Sequence, residues 1–465
     1  VTLAPAPELP RLSRSRAATA RREDPPRILV IKLSDFGDAL LTRPALARLR
    51  LALPAARIDV LTTPIAAQAY RHMGLVDRIR VFDRSVYDRP AALFGRPGAI
   101  LELARELRAA RYEAVALLHS LTTRRGAIKH AGLVLATGAG LRVGLRRPGS
   151  PRGSFLSHAA EDLGFDARHV VESGEAVVGC LLEALRLAQP PGGPTGLEAP
   201  EGIGKHPVAD ASAGLGPTRF KPESAPAESK QEVPAESEHE APGQAPRSPN
   251  PSASWRVEAP RHLDFQPGHE AEALARGLLA PLEAMAGGAA GPLVALHPGS
   301  GSFSLARRWS PAAFAAVADG LAKDGARLVL VGQTSDDTQA VRAAMATEPA
   351  LDLTDRLNLA GLAAVLARMQ LLVANDSGVM HLATAVDTPV VAVFGPSNPV
   401  AWGPWWPGVD RQERPAPSPH RIIRLGLSCQ PCLYRGYRLG SREGCPSRDC
   451  LAWLGPDRVL AEARA

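Results

Sequence analysis

Residues 27–62 read RILVIKLSDFGDALLTRPALARLRLALPAARIDVLT, and the order of their apolar runs decides the fold. RILVIK and RIDVLT are apolar at consecutive positions, which predicts strands covered on both faces. The stretch between them is long enough to hold the helix that a parallel crossover requires. Working outward, AAQAYRHMG predicts a helix and RIRVF a strand; YEAVALL and LRVGL continue the alternation to about residue 150, and GEAVVGCLLEALRLA closes it as a helix. Such βαβα order indicates a parallel sheet with helices on both faces.

From residue 190 to about 262 the composition shifts to Pro, Gly, Ser and Glu with almost no periodic apolar residues. Such a segment cannot bury enough surface to offset chain entropy, so it reads as a disordered linker or insertion. Alternation then restarts with GHEAEALARGLLAPLEAMA as a helix and runs through PLVALH, SPAAFAAVADGLAKDG, RLVLVG, DDTQAVRAAMA, LAGLAAVLARM, QLLVAN, VMHLATAV and PVVAVFG. The chain divides into a disordered leader (1–26), an N-terminal α/β domain (27–189), the linker (190–262) and a C-terminal α/β domain (263–465). Two doubly wound, Rossmann-like sheets in tandem place a cleft between them, with ligands at the C-terminal ends of the strands.

The 465-residue length fits two domains, and a net charge of +7 with pI ≈ 9.4 suggests an acidic partner, although much of the excess lies in end segments such as RLSRSRAATARR. The leader has no apolar core for a signal peptide, and no apolar run reaches membrane-spanning length, which predicts a soluble protein. Five cysteines, four of them near the C-terminus, fit a reducing cytoplasm.

Three strand ends carry unusual residues: KLSDFGD after the first strand, HPGSGSFSLARRWSP after PLVALH, and VANDSGVMHL, where strand passes to helix. Gly299, Gly301 and Gly378 let backbone N–H groups approach a ligand, and a helix starting near Gly378 offers free N–H groups and a positive dipole end. With Arg307 and Arg308 alongside, this makes an anion site suited to a diphosphate. Neither a Walker A sequence nor GxGxxG occurs in these loops.

ILVIKLSDFGDALLTRPALARLR, LVALHPGSGS through RRWSP, and LVANDSGVMHLATAVDTPVVAVFGPSNP followed by WGP together resemble the signature segments of glycosyltransferase family 9, the bacterial heptosyltransferases of lipopolysaccharide core synthesis. The resemblance covers most of residues 27–185 and 256–465. It implies a GT-B fold, an ADP-heptose donor, a phosphorylated inner-core acceptor on lipid A, and inverting transfer without a catalytic metal. It also implies a cytoplasmic enzyme with peripheral contact at the inner membrane face and no nucleic-acid partner.

Asp38 matches the aspartate of the family's GD and is expected to be the general base; spacing alone does not separate it from Asp35, whose charge would raise the pKa of the pair. A helix cap working through Thr42 is the other reading of Asp38. On the donor side the resemblance points to Ser300, Gly301, Arg307 (where relatives often carry lysine), Asp376, Ser377, Gly378 and His381. A buried structural histidine is the alternative for His381. Asp336 and Asp337 stand where relatives bind the donor ribose, or compensate a helix N-terminus capped by Ser335. Trp402 reads as packing. Arg84, Arg89 and Arg96 form a candidate acceptor-phosphate cluster, or a solvated surface.

Cys429, Cys432, Cys445 and Cys450 follow C-x2-C and C-x4-C spacing, which suits a structural zinc or iron site, with disulfides or free thiols as alternatives. Cys180 reads as a buried core residue. The alternatives to lipopolysaccharide heptosyl transfer are transfer to a protein (autotransporter) acceptor, and a non-catalytic nucleotide-binding scaffold.

Overall fold

The computed structural model describes residues 25–82, 97–187, 261–284, 291–410, 412 and 414–465. Residues 1–24 of the expected leader, the arginines Arg84, Arg89 and Arg96, and the linker up to residue 260 lie outside the described residues. The first half runs β1 (Arg27–Lys32), α1 (Phe36–Leu40), α2 (Arg43–Ala52), β2 (Arg57–Thr62), α3 (Pro64–Arg71), β3 (Arg78–Val81), α4 (Pro97–Ala109), β4 (Ala114–Leu117), α5 (Arg124–Ala136), β5 (Leu141–Arg146), β6 (His158–Glu161) and α6 (Val170–Leu187). The second half runs α7 (His269–Ala284), β7 (Leu293–His297), α8 (Pro311–Lys323), β8 (Arg327–Leu330), α9 (Thr338–Ala344), β9 (Leu351–Asp352), α10 (Leu359–Leu366), β10 (Leu371–Asn375), α11 (Gly378–Ala385), β11 (Val390–Val393), α12 (Pro399–Trp402), β12 (Arg421–Ile423), α13 (Asp449–Ala452) and α14 (Pro456–Arg464).

Each half builds a six-stranded parallel sheet, in the orders β3-β2-β1-β4-β5-β6 and β12-β11-β10-β7-β8-β9. Counted from its own first strand, each sheet has the same order. The order reverses between β1 and β4 in one sheet and between β7 and β10 in the other, and a crevice forms at each reversal. The consecutive residues Ile28, Leu29, Val30 and Ile31 of β1 are all fully buried, as a strand covered on both faces requires.

The apolar stretch after β1 forms two helices where the sequence suggested one. Pro44 has no N–H to continue a helix, and its ring would meet the carbonyl of Leu40. α1 therefore stops at Leu40, and α2 restarts with the proline in its first turn. The short strands β6, β9 and β12 were not expected; each forms or extends a sheet margin through register with its neighbour.

The two halves meet through α1 and α11, which pack end to end at Gly37 and Gly378. A Cβ at position 37 would stand 2.7 Å from the Gly378 Cα, and one at 378 would stand 2.7 Å from the Phe36 ring. His262, at the end of the expected linker, is already buried. Beside it Arg43 holds Asp264 at 2.6 Å, and His72 stacks on Phe265 at 4.7 Å. Among the described residues no helix is long and apolar enough to cross a membrane.

Candidate active site

Asp38 lies in the first turn of α1, at the end of the first strand of its sheet. Neither Asp35 nor Thr42 forms a side-chain cap bond at the helix it precedes; Thr42 instead donates to the Ala39 carbonyl at 2.7 Å. The capping reading of Asp38 through Thr42 is therefore not what the structure has. Asp38 keeps 27% of its side chain exposed, yet its Oδ1 is buried without a hydrogen bond, with Lys32 Nζ 3.9 Å away. Burial is the first cause pushing its carboxyl above the ordinary carboxylate range; Lys32 pulls down, Asp35 pushes up, and from the other half Arg307 pulls down and Asp376 pushes up. Asp35 acts in the expected direction but ranks behind burial. Asp35 itself is exposed.

Across from this turn, β10 ends at Asn375, and Asp376 follows it. Asn375 ties three segments together: its Oδ1 accepts from the Trp309 N–H at 3.1 Å, and its Nδ2 donates to the Pro298 carbonyl at 2.6 Å. Asp376, 3% exposed, receives Arg307 Nη1 at 3.1 Å. The same guanidinium donates to the Ser300 carbonyl, and its Nε reaches the Ser304 carbonyl at 3.4 Å. Ser377 caps α11 by accepting from the Met380 N–H at 3.3 Å. The first N–H groups of α11 then have no partner within the helix. One turn on, His381 is buried with Nδ1 unbonded, and burial holds it neutral, with its pKa lowered to about 4.

The remaining donor-side residues are already occupied. Ser300 Oγ donates to the Ser304 carbonyl at 3.1 Å, and Gly301 takes φ +67°, a conformation that favours glycine. Asp336 accepts from the Gln333 N–H at 3.1 Å and pairs with Arg308 at 3.4 Å. The capping box of its turn belongs to Gln333 rather than Ser335. Asp336 also packs over Gly299, where a Cβ would come within 2.3 Å of its carboxylate. Asp337 pairs with Arg308 at 3.0 Å.

An aromatic wall that sequence reasoning missed completes the crevice. Tyr434 stands 5.0 Å from Trp402, 5.2 Å from Phe165 and 6.0 Å from Phe303, ring centre to ring centre. Burial first, and then the charge of Asp38, push the Tyr434 phenol well above its ordinary range; Arg307, Asp376 and Asp35 also act on it. Trp402 thus packs, as expected, but against this wall. His169 is a second missed residue. Its Nε2 meets the Gly403 carbonyl at 3.1 Å, and burial lowers its pKa to about 3. The residues of the wall are scattered along the chain, so no local pattern announced it.

At the ends of β4 and β5 a shallow recess is bordered by Arg147, Arg152 and Phe165 of the first half and Tyr437 of the second. Arg147 lies over the Tyr437 ring at 4.1 Å, while Arg152 donates to the Leu121 carbonyl at 3.1 Å. Cys429, Cys432, Cys445 and Cys450 border one small recess as free thiols. Burial raises Cys432, and raises Cys450 to about 11, and in each case the neighbouring thiols add to the shift. The donor set suits a thiolate metal site, but among the described residues no three His, Cys, Asp or Glu side chains are gathered as metal ligands. Cys180 is half-buried rather than in the core.

Residues 263–435 match the model of glycosyltransferase family 9 (heptosyltransferase). Over 113 residues the chain is 34% identical to lipopolysaccharide heptosyltransferase 2 of Salmonella typhimurium, covering 23% of this chain and 32% of that protein. Over 178 residues it is 26% identical to lipooligosaccharide heptosyltransferase 2 of Campylobacter jejuni, covering 37% and 50%. The matched stretches thus span a third to a half of these relatives. Among solved structures, Escherichia coli ADP-heptose LPS heptosyltransferase II aligns over 94% of this chain and 97% of its own, with 20% identity and a TM-score of 0.55. E. coli heptosyltransferase WaaC with ADP aligns over 94% and 99%, with 17% identity and a TM-score of 0.53. At these identities the likeness is one of fold, and the fold is the two-sheet GT-B arrangement.

Proposed function

From a chain that carries a glycosyltransferase family 9 (heptosyltransferase) domain over residues 263–435, we propose an inverting glycosyltransferase that moves heptose from ADP-heptose to a lipopolysaccharide inner-core acceptor. The observation that carries this reading is the meeting of two strand-end turns. Asp38, with one carboxylate oxygen unbonded, stands within the fields of Arg307 and Asp376 from the other sheet.

In this reading the diphosphate lies against the second half, met by Arg307 and the free N–H groups at Ser377 and Gly378, with Ser300, Gly301 and His381 bordering it. Asp336 turns from Arg308 to the ribose hydroxyls. The acceptor hydroxyl enters from the first half, with Arg147 as a cation for its phosphates; Arg84, Arg89 and Arg96, outside the described residues, are proposed for the same role. Asp38 takes the hydroxyl proton as the oxygen attacks the anomeric carbon on the face opposite the diphosphate. The bond from that carbon to the phosphate oxygen breaks, ADP departs with the electron pair, and the configuration inverts. Arg307 and the positive end of α11 balance the charge that develops on ADP, taking the place of a catalytic metal. A raised carboxyl pKa favours this role, because a stronger base shares the proton earlier in the attack. A lipid-borne acceptor would bring the protein to the inner face of the cytoplasmic membrane as a peripheral enzyme.

Purified protein offered ADP-heptose beside other nucleotide sugars, with and without Kdo-bearing lipid A, is expected to transfer only from ADP-heptose and only when the acceptor is present. Transfer from another nucleotide sugar alone would overturn the donor assignment. The four C-terminal cysteines are proposed to hold, as thiolates, a structural zinc or iron whose positive charge would offset their mutual repulsion. Elemental analysis should then find stoichiometric metal, and chelation should lower Tm; a metal-free preparation of unchanged Tm removes the metal.

A further inference from the structure

Tyr434 sits in the crevice without an evident structural task for its hydroxyl. Its backbone is held in the left-handed region at φ 58°, a conformation that is costly for a bulky side chain and persists only where surrounding contacts enforce it. Those contacts are present. The Tyr434 carbonyl accepts from Asn398 Nδ2 at 2.9 Å, and its N–H donates to the Leu439 carbonyl at 3.0 Å. Asn398 Nδ2 also donates to Asp166 Oδ1 at 2.7 Å, and Asp166 Oδ2 takes the Gly436 N–H at 2.8 Å, so the turn is tied to the first half as well.

The ring is packed by Phe303, which stacks on it, by Trp402, tilted, and by Phe165, which meets it edge to face. What remains free is the polar end: among the described residues the hydroxyl has no hydrogen-bond partner, and the side chain is only half-buried. Arg307, paired with Asp376 at 3.1 Å, lies over the Phe303 ring at 5.9 Å, and Phe303 in turn stacks against the Tyr434 ring at 6.0 Å. A strained backbone, a ring fixed from several sides and linked through Phe303 to Arg307, and an unused hydroxyl are what a substrate-positioning side chain requires.

We propose that Tyr434 is a specificity-determining residue whose hydroxyl bonds a hydroxyl of the transferred glycosyl unit, so that the C-terminal cysteine-bearing segment reads the sugar while the α11 turn holds the diphosphate. This rests on the donor reading above and deepens it. A site built to bond a substrate hydroxyl discriminates strongly against analogues that lack it.

Calorimetric titration of full-length protein tests the assignment. Tyr434→Phe keeps the ring and removes one hydrogen bond, so ADP-heptose should bind about five- to ten-fold more weakly, while ADP alone binds within about two-fold of wild type and Tm is unchanged. Equal loss for ADP and ADP-heptose, or a lower Tm, would make the hydroxyl structural and overturn the proposal. So would unchanged ADP-heptose affinity. If wild type ignores ADP-heptose but binds another nucleotide sugar, the donor reading fails, and the same comparison is made with that sugar; no binding of any nucleotide sugar sinks both.

Discussion

The β1–α1 turn and the β10–α11 turn each stand where the strand order of their own sheet reverses, yet they carry contrasting chemistry. In the first, Asp38 presents a carboxylate with one oxygen unbonded and a lysine no closer than 3.9 Å. In the second, Asp376 is neutralised by Arg307 at 3.1 Å, and Ser377 closes the helix start. Topology fixes where both turns stand; the partner each carboxylate keeps decides what it does. An unpartnered, raised carboxylate is suited to taking a proton, whereas a paired one holds a cation in position.

The largest expected break in this contrast comes from exchanging each carboxylate for its amide. Asp38→Asn removes the proposed base and should lower kcat by about 10²- to 10⁴-fold, with ADP affinity and Tm held. Asp376→Asn instead strips the partner from a mostly buried guanidinium and should lower stability by about 3–5 kcal/mol, read as a drop in Tm and weaker ADP binding. An Asp38→Asn enzyme at full rate removes the base. Equal behaviour of the two variants would erase the distinction between the turns.

How much of this was legible in the sequence follows from the same contrast. Both turns could be read because a strand that is apolar throughout announces its own end, and the residues that follow are contiguous. The short strands β6, β9 and β12 could not, since four residues or fewer at a sheet margin carry no period of their own. The break between α1 and α2 lies in Pro44, whose signal is masked by the helical run on either side of it. The loop of Asp336 follows from strand order alone, but its carboxylate is held by Arg308 and the Gln333 N–H, a pairing fixed by tertiary contact. Phe165, Phe303, Trp402 and Tyr434 converge from four separate segments, so only the folded chain reveals their wall.

A smaller break targets the seam where the two turns touch. Gly378→Ala would drive a Cβ to 2.7 Å from the Phe36 ring, so one side must shift, at a cost of about 1–3 kcal/mol in stability measured by denaturant titration. Adding Phe36→Ala should recover part of that loss, a non-additivity expected of residues in contact. Full additivity of the pair would mean that α1 and α11 are not pressed together there.

The finest test sharpens the contrast by shifting the Asp38 titration without removing the group. The proposed base must be ionised, so turnover should fall as pH drops through the Asp38 pKa, and because burial raises that pKa above the ordinary value, the fall begins at a higher pH than a free carboxyl would give. Asp35 adds a repulsive negative charge; Asp35→Asn removes it, stabilises the ionised form of Asp38 and moves the acid limb of kcat/KM to lower pH. Lys32 acts the other way, so Lys32→Met should move the limb to higher pH. Shifts in these opposite directions, with the limb abolished in Asp38→Asn, tie the profile to this carboxylate. A limb that stays in place in both neighbours' variants would assign it to a different group and return the two turns to equal footing.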